Sequence, residues 1–168
     1  MSAAARGPAP PAVDILVQSP LWRNEPKARK VVRAAVRAAA ARLSTPGGEV
    51  AIVLTDDSAI RALNRDWRGI DKPTNVLSFP AKATQPPGGT ATHGDIVMAY
   101  ETVAGECESE GKTFLHHLTH LTVHGYLHLM GFDHQTDAEA EEMERLESAI
   151  LAGLGLPDPY IARDIRTL

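Results

Sequence analysis

The chain has 168 residues, a length that fits one domain of ordinary size. Its composition, 43% hydrophobic and 23% charged, is typical of a soluble globular protein, and no apolar run approaches the ~20 residues of a membrane-spanning helix. The one cysteine, Cys107, excludes an internal disulfide and a multi-cysteine metal site, and we expect a cytoplasmic protein in which this thiol has no catalytic role.

The net charge of −4 is unevenly distributed. Residues 1–90 hold 13 Lys/Arg and 7 Asp/Glu, a net charge of +6, whereas residues 91–168 hold 4 and 14, a net charge of −10. One interpretation is a basic face that binds a polyanion, and the other is a set of ordinary solvated helix faces.

Strands and helices are both predicted in the first half of the chain. The periodicity of apolar residues and the turn residues predict these elements in chain order: a disordered tail at 1–11 that does not resemble a secretory signal, a strand at 13–18, a helix from near Pro26 to Ser44, a strand at 48–55, a helix over 58–68 capped by Asp56 or Asp57, and a strand at 74–80.

The second half is predicted to contain a loop, one strand and three helices. In chain order these are a Pro/Gly-rich mobile loop at 81–93, a strand at 94–100, a polar helix at 101–110, a helix at 112–130, an acidic helix that opens with the capping box of Thr136 and Glu139 and runs to about Leu154, and a tail at 161–168. The helix at 112–130 is apolar on most sides and should lie in the core. Gly125 within it costs about 1 kcal/mol against alanine, which indicates that something packs closely there.

These elements predict an α+β fold, with a small mixed four-stranded sheet packed against about five helices, one of them a buried histidine-bearing helix. We expect a single domain over residues 12–160.

Three histidines in "HGYLHLMGFDH" have the spacing of a metal site. His124 and His128 are four apart, so a helix presents both on one face, and His134 can join them if the chain turns back after Gly131. Three imidazoles leave a fourth position open on a tetrahedral Zn²⁺, which is typical of a catalytic site where a bound water ionises near pH ~7. Gly125 occupies the place of the glutamate that is the general base in zinc peptidases of this spacing, so that mechanism is not expected.

The same helix also contains His116, His117 and His120. A histidine-rich helix can simply be polar along one side, and His120 with His124 is a rival pair of ligands. The third histidine at the right offset favours His124 and His128, and leaves His120 as a neighbouring group.

These residues, together with "LNRDWRGIDKPTNVLSFP" at 63–80, "GDIVMA" at 94–99 and the acidic "DAEAEEMERLE" that follows the histidines, closely resemble the YbeY family of bacterial endoribonucleases. The resemblance covers roughly residues 13–160. It implies a compact metalloprotein with one zinc ion on His124, His128 and His134. It also implies cleavage of single-stranded RNA during ribosomal RNA maturation and ribosome quality control, in the cytoplasm and in contact with the small ribosomal subunit. No DNA partner is expected.

The resemblance also places Arg68 at the position of the family's functional arginine. A guanidinium there would bind phosphate oxygens and stabilise charge that develops on phosphorus, while the alternative is a cap at the end of a helix before Gly69.

Several other residues of the motifs leave two interpretations open. Thr74, Asn75 and Ser78 either contact RNA or order the turn after Pro73. Asp95 either orients a histidine or caps a sheet edge, and Asp133 has the same two interpretations; His93 is a remote candidate for a second metal contact.

The leading hypothesis is therefore a zinc-dependent single-strand endoribonuclease. Whether a metal-activated water or the ribose 2′-hydroxyl attacks phosphorus stays open, as does the oligomeric state. One alternative is a metal hydrolase of another substrate, and a second is a non-catalytic ribosome-assembly factor stabilised by the metal. RNA binding is expected to use basic side chains of the first half, with these candidates: Arg23, Lys27, Lys30, Arg33 and Arg37.

Overall fold

The computed structural model describes residues 9–45, 47–81 and 91–160. None of the helices within these ranges combines the length and the apolar character that crossing a bilayer requires. In chain order the elements are β1 (Ala12–Val17), a 3₁₀ turn (Pro20–Asn24), α1 (Ala28–Leu43), β2 (Glu49–Thr55), α2 (Asp57–Arg68), β3 (Val76–Pro80), β4 (Thr92–Ala99), α3 (Tyr100–Glu110), α4 (Phe114–Leu129) and α5 (Asp137–Gly153).

The four strands form one mixed sheet in the order β1-β2-β4-β3. β1 pairs with β2 and β2 pairs with β4 in parallel, whereas β3 pairs with β4 antiparallel. Parallel neighbours need a crossover, and α1 and α2 provide the intervening segments. The predicted α+β fold with a mixed four-stranded sheet is confirmed, and β3 is one of its edges.

The sheet separates two apolar layers of unequal size. Because side chains alternate along a strand, Ile96 and Met98 of β4 join the larger cluster, with residues of α1, α3, α4 and α5. Val97 and Ala99 of the same strand join the smaller cluster, which contains Ile60 of α2. The histidine-bearing helix α4 and helix α2 therefore pack on opposite faces of the sheet.

α1 and α4 run in the same direction across the larger face. Near their starts, the ring of Trp22 lies 5.8 Å from that of Phe114, and near their ends the hydroxyls of Thr45 and Tyr126 are 2.7 Å apart. The predicted burial of α4 is confirmed, since ten of its residues are buried. The histidines near its end therefore lie far along the core from the start of α1.

The boundaries of several elements differ from the prediction. α1 begins at Ala28, two residues after Pro26, and the 3₁₀ turn before it was not predicted. The proposed loop at 81–93 is too long at its end, because Thr92 and His93 already pair in β4; residues 82–90 lie outside the described ranges. Asp56 is the cap of α2, and its Oδ1 accepts from the Ala59 N–H at 2.9 Å.

The predicted tail at 1–11 also needs a correction at its end. Residues 1–8 lie outside the described ranges, but the carbonyl of Ala9 accepts from the Gly47 N–H at 2.8 Å and Pro11 is buried. The chain is therefore bound to the rest of the fold before β1 begins. The C-terminal tail predicted at 161–168 lies outside the described residues.

Candidate metal centre

The three histidines of the motif meet at one point. His124 and His128 lie one turn apart on α4, and their Nε2 atoms are 3.0 Å apart. His134 returns from the following loop, and its ring centroid lies 5.5 Å from that of His124 and 5.0 Å from that of His128. One ligand atom from each of the three residues lies within 4.8 Å of the other two. The cluster predicted from the spacing is therefore present in the fold.

Gly131 makes the turn that brings His134 back. Its φ of +97° lies in the region that favours glycine, and its N–H donates to the His128 carbonyl at 3.1 Å. Asp133 then orders the loop, since its Oδ1 accepts from the His134 N–H at 2.8 Å. This local backbone contact beside a histidine is neither of the two roles considered for Asp133.

Gly125 faces the sheet rather than the histidine cluster. A Cβ atom there would lie 2.9 Å from Cγ2 of Ile96 and 3.1 Å from Oγ of Ser78. The Ser78 hydroxyl donates to the Gly125 carbonyl at 3.1 Å, so β3 and α4 are in direct polar contact. The predicted close packing is confirmed, and a glutamate at this position would have no space.

Glu147 of α5 is the residue that sequence reasoning missed. Its carboxylate is buried, with 1% of the side chain exposed, and its Oε1 lies 2.6 Å from Nδ1 of His124. A carboxylate only accepts, so Nδ1 must donate, and Nε2 of His124 keeps its lone pair for a metal. The signal in the sequence was an acidic residue on the apolar stripe of Met143, Ile150 and Leu151 in an otherwise solvated acidic helix.

The other oxygen of Glu147 contacts His120 and Tyr160. Nε2 of His120 lies 2.9 Å from Oε2 of Glu147, and the Tyr160 hydroxyl donates to the same oxygen. His120 is therefore engaged by Glu147 instead of converging with His128 and His134. His120 and His124, the rival pair of metal ligands, therefore share one carboxylate.

The electrostatics of the cluster favour a neutral His128 imidazole and an ionised Glu147 carboxylate. Burial lowers the pKa of His128, and the nearby His124 and His134 lower it further. Burial alone would raise the pKa of Glu147, but hydrogen bonds from His120 and His124 outweigh it and bring that pKa to about 2. At neutral pH the site therefore offers an unprotonated His128 ring as a ligand and a fixed negative charge behind His124.

Arg68 and the histidines line the same cavity, which has a volume of about 600 Å³. Arg68 is the last residue of α2, and the exposed guanidinium forms no ion pair or hydrogen bond with any residue that the structure describes. No contact supports the alternative role of the Arg68 side chain as a helix cap. The end of α2 is closed instead by the backbone N–H of Gly69, which donates to the Arg65 carbonyl. The remaining lining comes from β3, the residue before it and the loop after α4: Asn75, Val76, Ser78, Pro80, Gly131, Phe132, Asp133 and Gln135.

Asn75, just before β3, and Ser78, within it, form hydrogen bonds to other parts of the fold. Asn75 donates to both carboxylate oxygens of Glu106, at 2.9 and 3.2 Å, and its Oδ1 accepts from the Val76 N–H. Ser78 is used in the contact with Gly125 described above. Both side chains also line the cavity, so a structural role for them does not remove them from the site.

Asp95 and His93 lie apart from the cluster. Asp95 alternates with Ile96, so it lies on the face of the sheet opposite α4, and β4 is an interior strand. Neither role considered for Asp95 therefore fits its position. Nε2 of His93 lies 3.0 Å from the Gly47 carbonyl, and His93 is not part of the metal-binding group found among the described residues.

The basic residues considered for RNA binding do not line the histidine cavity. Arg23 lies in the 3₁₀ turn and Lys27 just before α1. This end of α1 is near the start of α4, whereas His124 and His128 lie near the end of α4. A strand of RNA bound at both places would have to extend along α1.

The donor set fits a transition metal with nitrogen ligands. A Zn–N bond of about 2.0–2.1 Å in a tetrahedral site puts ligand nitrogens roughly 3.3 Å apart, close to the 3.0 Å between His124 and His128. The carboxylate behind His124 is the usual second partner of a metal-bound imidazole. The three histidines can therefore hold a metal ion.

Fold and site together define an α+β protein with a three-histidine cluster that could hold a metal ion. The model of the endoribonuclease YbeY family matches residues 18–155. A protein from Rhodopseudomonas palustris (strain BisA53) named Endoribonuclease YbeY is 52% identical over 160 residues, which cover 92% of this chain and 93% of that protein. One of the same name from Nitrobacter winogradskyi is 54% identical over 160 residues, with 90% and 83% covered. A solution structure from Thermotoga maritima aligns with a TM-score of 0.46 and 23% identity over 88% of this chain and 97% of that chain.

The chain belongs to the YbeY family. The resemblance noted from the histidine motif and from "PTNVLSF" is thereby confirmed.

Proposed function

We propose that the protein is a zinc-dependent endoribonuclease that cleaves single-stranded RNA at the histidine cavity, with one ion bound by His124, His128 and His134. The observation that carries this proposal is the convergence of three imidazoles in one open cavity with an arginine that has no partner among the described residues. Membership in a family whose relatives are named endoribonucleases supports the choice of RNA as substrate.

The histidines, Arg68 and Glu147 have separate tasks in this proposal. A zinc ion on the three imidazoles would supply a Lewis acid and would lower the pKa of a water molecule to about 7. Arg68 donates to the phosphate oxygens and stabilises the charge that develops on phosphorus. Glu147 holds His124 in the tautomer that a metal needs.

Gly125 excludes the general base of the zinc peptidases. The glycine has no side chain, and the direction of a Cβ leads to Ile96 and Ser78 rather than to the cluster. This observation supports phosphodiester over peptide hydrolysis for this cavity.

We further propose that the substrate is ribosomal RNA, that the protein acts in its maturation and in ribosome quality control in contact with the small ribosomal subunit, and that it does so in the cytoplasm as a single domain over residues 12–160. Family membership supports this role. A co-sedimentation experiment with ribosomal subunits tests the proposed contact, and equal recovery in small-subunit and empty gradient fractions would contradict it.

Elemental analysis of the purified protein combined with cleavage of a labelled single-stranded RNA, with and without chelator, tests the activity. We expect about one zinc per chain, cleavage that a chelator abolishes and added zinc restores, and little cleavage of DNA of the same sequence. His124→Ala should abolish both zinc binding and cleavage. His116→Ala is the matched control, because His116 is exposed on the same helix and lies outside the cluster.

The two alternative functions give different results in the same experiment. Turnover of peptides or small phosphoesters in place of RNA would indicate another metal hydrolase. An assembly factor with a structural metal predicts that His124→Ala lowers the melting temperature and leaves any RNA cleavage unchanged. The termini of the RNA products report the attacking group, since only attack by the 2′-hydroxyl leaves a cyclic phosphate.

A further inference from the structure

Trp67 is the most exposed of the large hydrophobic side chains that the structure describes. Its exposed fraction is 72%, compared with 54% for Leu16 and 41% for Ile70. A tryptophan left in water is unusual, since its large apolar surface contributes to stability only when it is covered. Leaving this ring exposed therefore suggests a binding role.

The position of Trp67 links it to the histidine cavity. It lies in the last turn of α2 and directly precedes Arg68, which lines the cavity. Its ring packs against Phe79 at a centroid distance of 5.9 Å and an interplanar angle of 64°. Phe79 lies on the edge strand β3 between Ser78 and Pro80, and both of these line the cavity. Because side chains alternate along β3, Phe79 and Trp67 lie on the α2 face of the sheet, and Trp67 adjoins the cavity through the neighbouring Arg68 at the sheet edge.

The packing and the charges around Trp67 suit a nucleotide. An edge-on contact with Phe79 holds the indole while the large exposed fraction leaves its surface open for stacking. Along α2, Arg61 and Arg65 are held by Asp71 and Asp66, at 2.8 and 3.1 Å. Arg68 has no such partner among the described residues, so consecutive residues at the end of α2 carry an open aromatic ring and a guanidinium that can bind an anion. A base can stack on the exposed ring, and its phosphate can bind the guanidinium.

We propose that Trp67 is a stacking platform for a nucleobase of the RNA strand, adjacent to the phosphate that is cleaved at the histidine centre. This inference rests on the proposed function, because it places the substrate of that reaction. Stacking is tolerant of base identity, since every base has a π face. The platform would therefore give affinity for single strands, in which bases are free to unstack, without strong sequence preference.

Tryptophan fluorescence of the metal-free protein tests the contact without any cleavage. The chain has two tryptophans, and Trp22 is buried, with Nε1 donating to the Thr55 carbonyl at 2.8 Å. Addition of a short oligoadenylate is expected to quench the emission of the exposed Trp67. In Trp67→Phe only Trp22 remains, and the quenching should disappear. Equal quenching in this variant, or none in the wild type, would overturn the proposal.

Steady-state cleavage by the zinc-loaded protein gives the second measurement. Trp67→Ala should raise KM about five- to a hundredfold and leave kcat nearly unchanged, and Trp67→Phe should restore most of the affinity. Leu16→Ala is the matched control, because Leu16 is an exposed apolar residue on β1, at the opposite edge of the sheet. An unchanged KM in Trp67→Ala would contradict the stacking role of Trp67 and leave the proposed function unaffected.

Two further outcomes separate this inference from its alternatives. If the wild type cleaves no RNA yet oligoadenylate still quenches Trp67, the proposed function fails and the stacking site stands. If Trp67→Ala changes the sedimentation of the protein but not its binding of oligoadenylate, the ring belongs to a contact between copies of the chain and the proposal is wrong.

Discussion

Nδ1 of His124 on α4 lies 2.6 Å from Oε1 of Glu147 on α5. This contact connects the histidine cluster to a helix that begins beyond the metal-binding motif. Since a carboxylate cannot donate, the contact sets which nitrogen of His124 carries the proton and directs the other towards His128. The acidic helix therefore has a part in the site as well as in the core.

Replacing Glu147 should weaken metal binding. In Glu147→Gln the amide can donate as well as accept, so the tautomer of His124 is no longer fixed, and zinc affinity is expected to fall about 10- to 100-fold. Competition with a chromophoric chelator measures this affinity directly. Glu142→Gln, an exposed change on the same helix, is the control and should bind zinc like the wild type. Equal affinity in both variants would show that Glu147 does not position His124.

Gly125→Ala should destabilise the protein although alanine is the better helix former. The added Cβ meets Cγ2 of Ile96 at 2.9 Å, a buried branch that has little room to move. Overpacking costs about 1–3 kcal/mol and helix propensity returns about 1 kcal/mol, so a net loss of up to about 2 kcal/mol is expected.

Gly105→Ala is the matched control for this experiment. Gly105 lies in α3, and a Cβ there would have no heavy atom within 4 Å apart from those of its local helix backbone and chain neighbours. Urea unfolding should show a gain of about 0.5–1 kcal/mol for this variant. If both glycine variants were stabilised, close packing between α4 and β4 would not explain Gly125.

Arg68→Ala should lower the rate of RNA cleavage more than it weakens RNA binding. A donor to a developing oxyanion is worth about 10²–10³-fold in kcat, and Arg68→Lys should recover only part of this because an ammonium lacks the planar fork. Single-turnover kinetics separate the chemical step from binding. Arg65→Ala on the same helix turn removes a guanidinium that is paired with Asp66 and should have a small effect. A loss confined to KM would mean that Arg68 only binds substrate.

Glu106 should make the stability of the protein depend on pH in the acidic range. Burial would raise its pKa, but hydrogen bonds from His117 and Asn75 outweigh burial and lower it below 4.5. A lowered folded-state pKa gives stability that is present above the unfolded-state pKa and is lost as pH falls through the folded-state value. Unfolding free energies measured from pH ~5 downward should therefore fall less steeply in Glu106→Gln. The exposed change Glu108→Gln should leave the slope unchanged.

Charge reversal on α1 tests whether its basic face binds RNA away from the cavity. Replacing Lys30 and Arg37 by glutamate should weaken RNA binding and reduce the magnitude of the slope of log affinity against log salt by up to ~2. The reason is that fewer counterions are released from the RNA when fewer phosphates are neutralised by the protein. kcat should change little, since neither residue lines the cavity. Arg42→Glu, at the exposed end of the same helix, is the control. Affinity that is insensitive to salt would contradict this interpretation.

The sequence by itself determined the order of the elements and the three histidines that converge into a possible metal site. Local interactions carry that information, because apolar periodicity sets helix and strand, and a spacing of four on a helix places His124 and His128 together whatever surrounds them. Gly131 is likewise a local signal, since few other residues adopt its φ of +97°. The prediction of a loop at 81–93 was wrong at its end, because proline and glycine indicate a turn but not the residue at which pairing in β4 begins.

Only the tertiary structure decided which partners surround the trio. Glu147 contacts His124 from α5, a partner that no local periodicity reports. Arg68 was named by the family resemblance, but only the fold shows that it lines the histidine cavity from α2, on the other side of the sheet. The role of Gly125 is of the same kind, because the sequence showed an unfavourable residue in a helix while the packing of Ile96 and Ser78 gave the reason. Contacts between distant segments depend on how faces of the whole fold pack, which residue spacing along the chain does not encode.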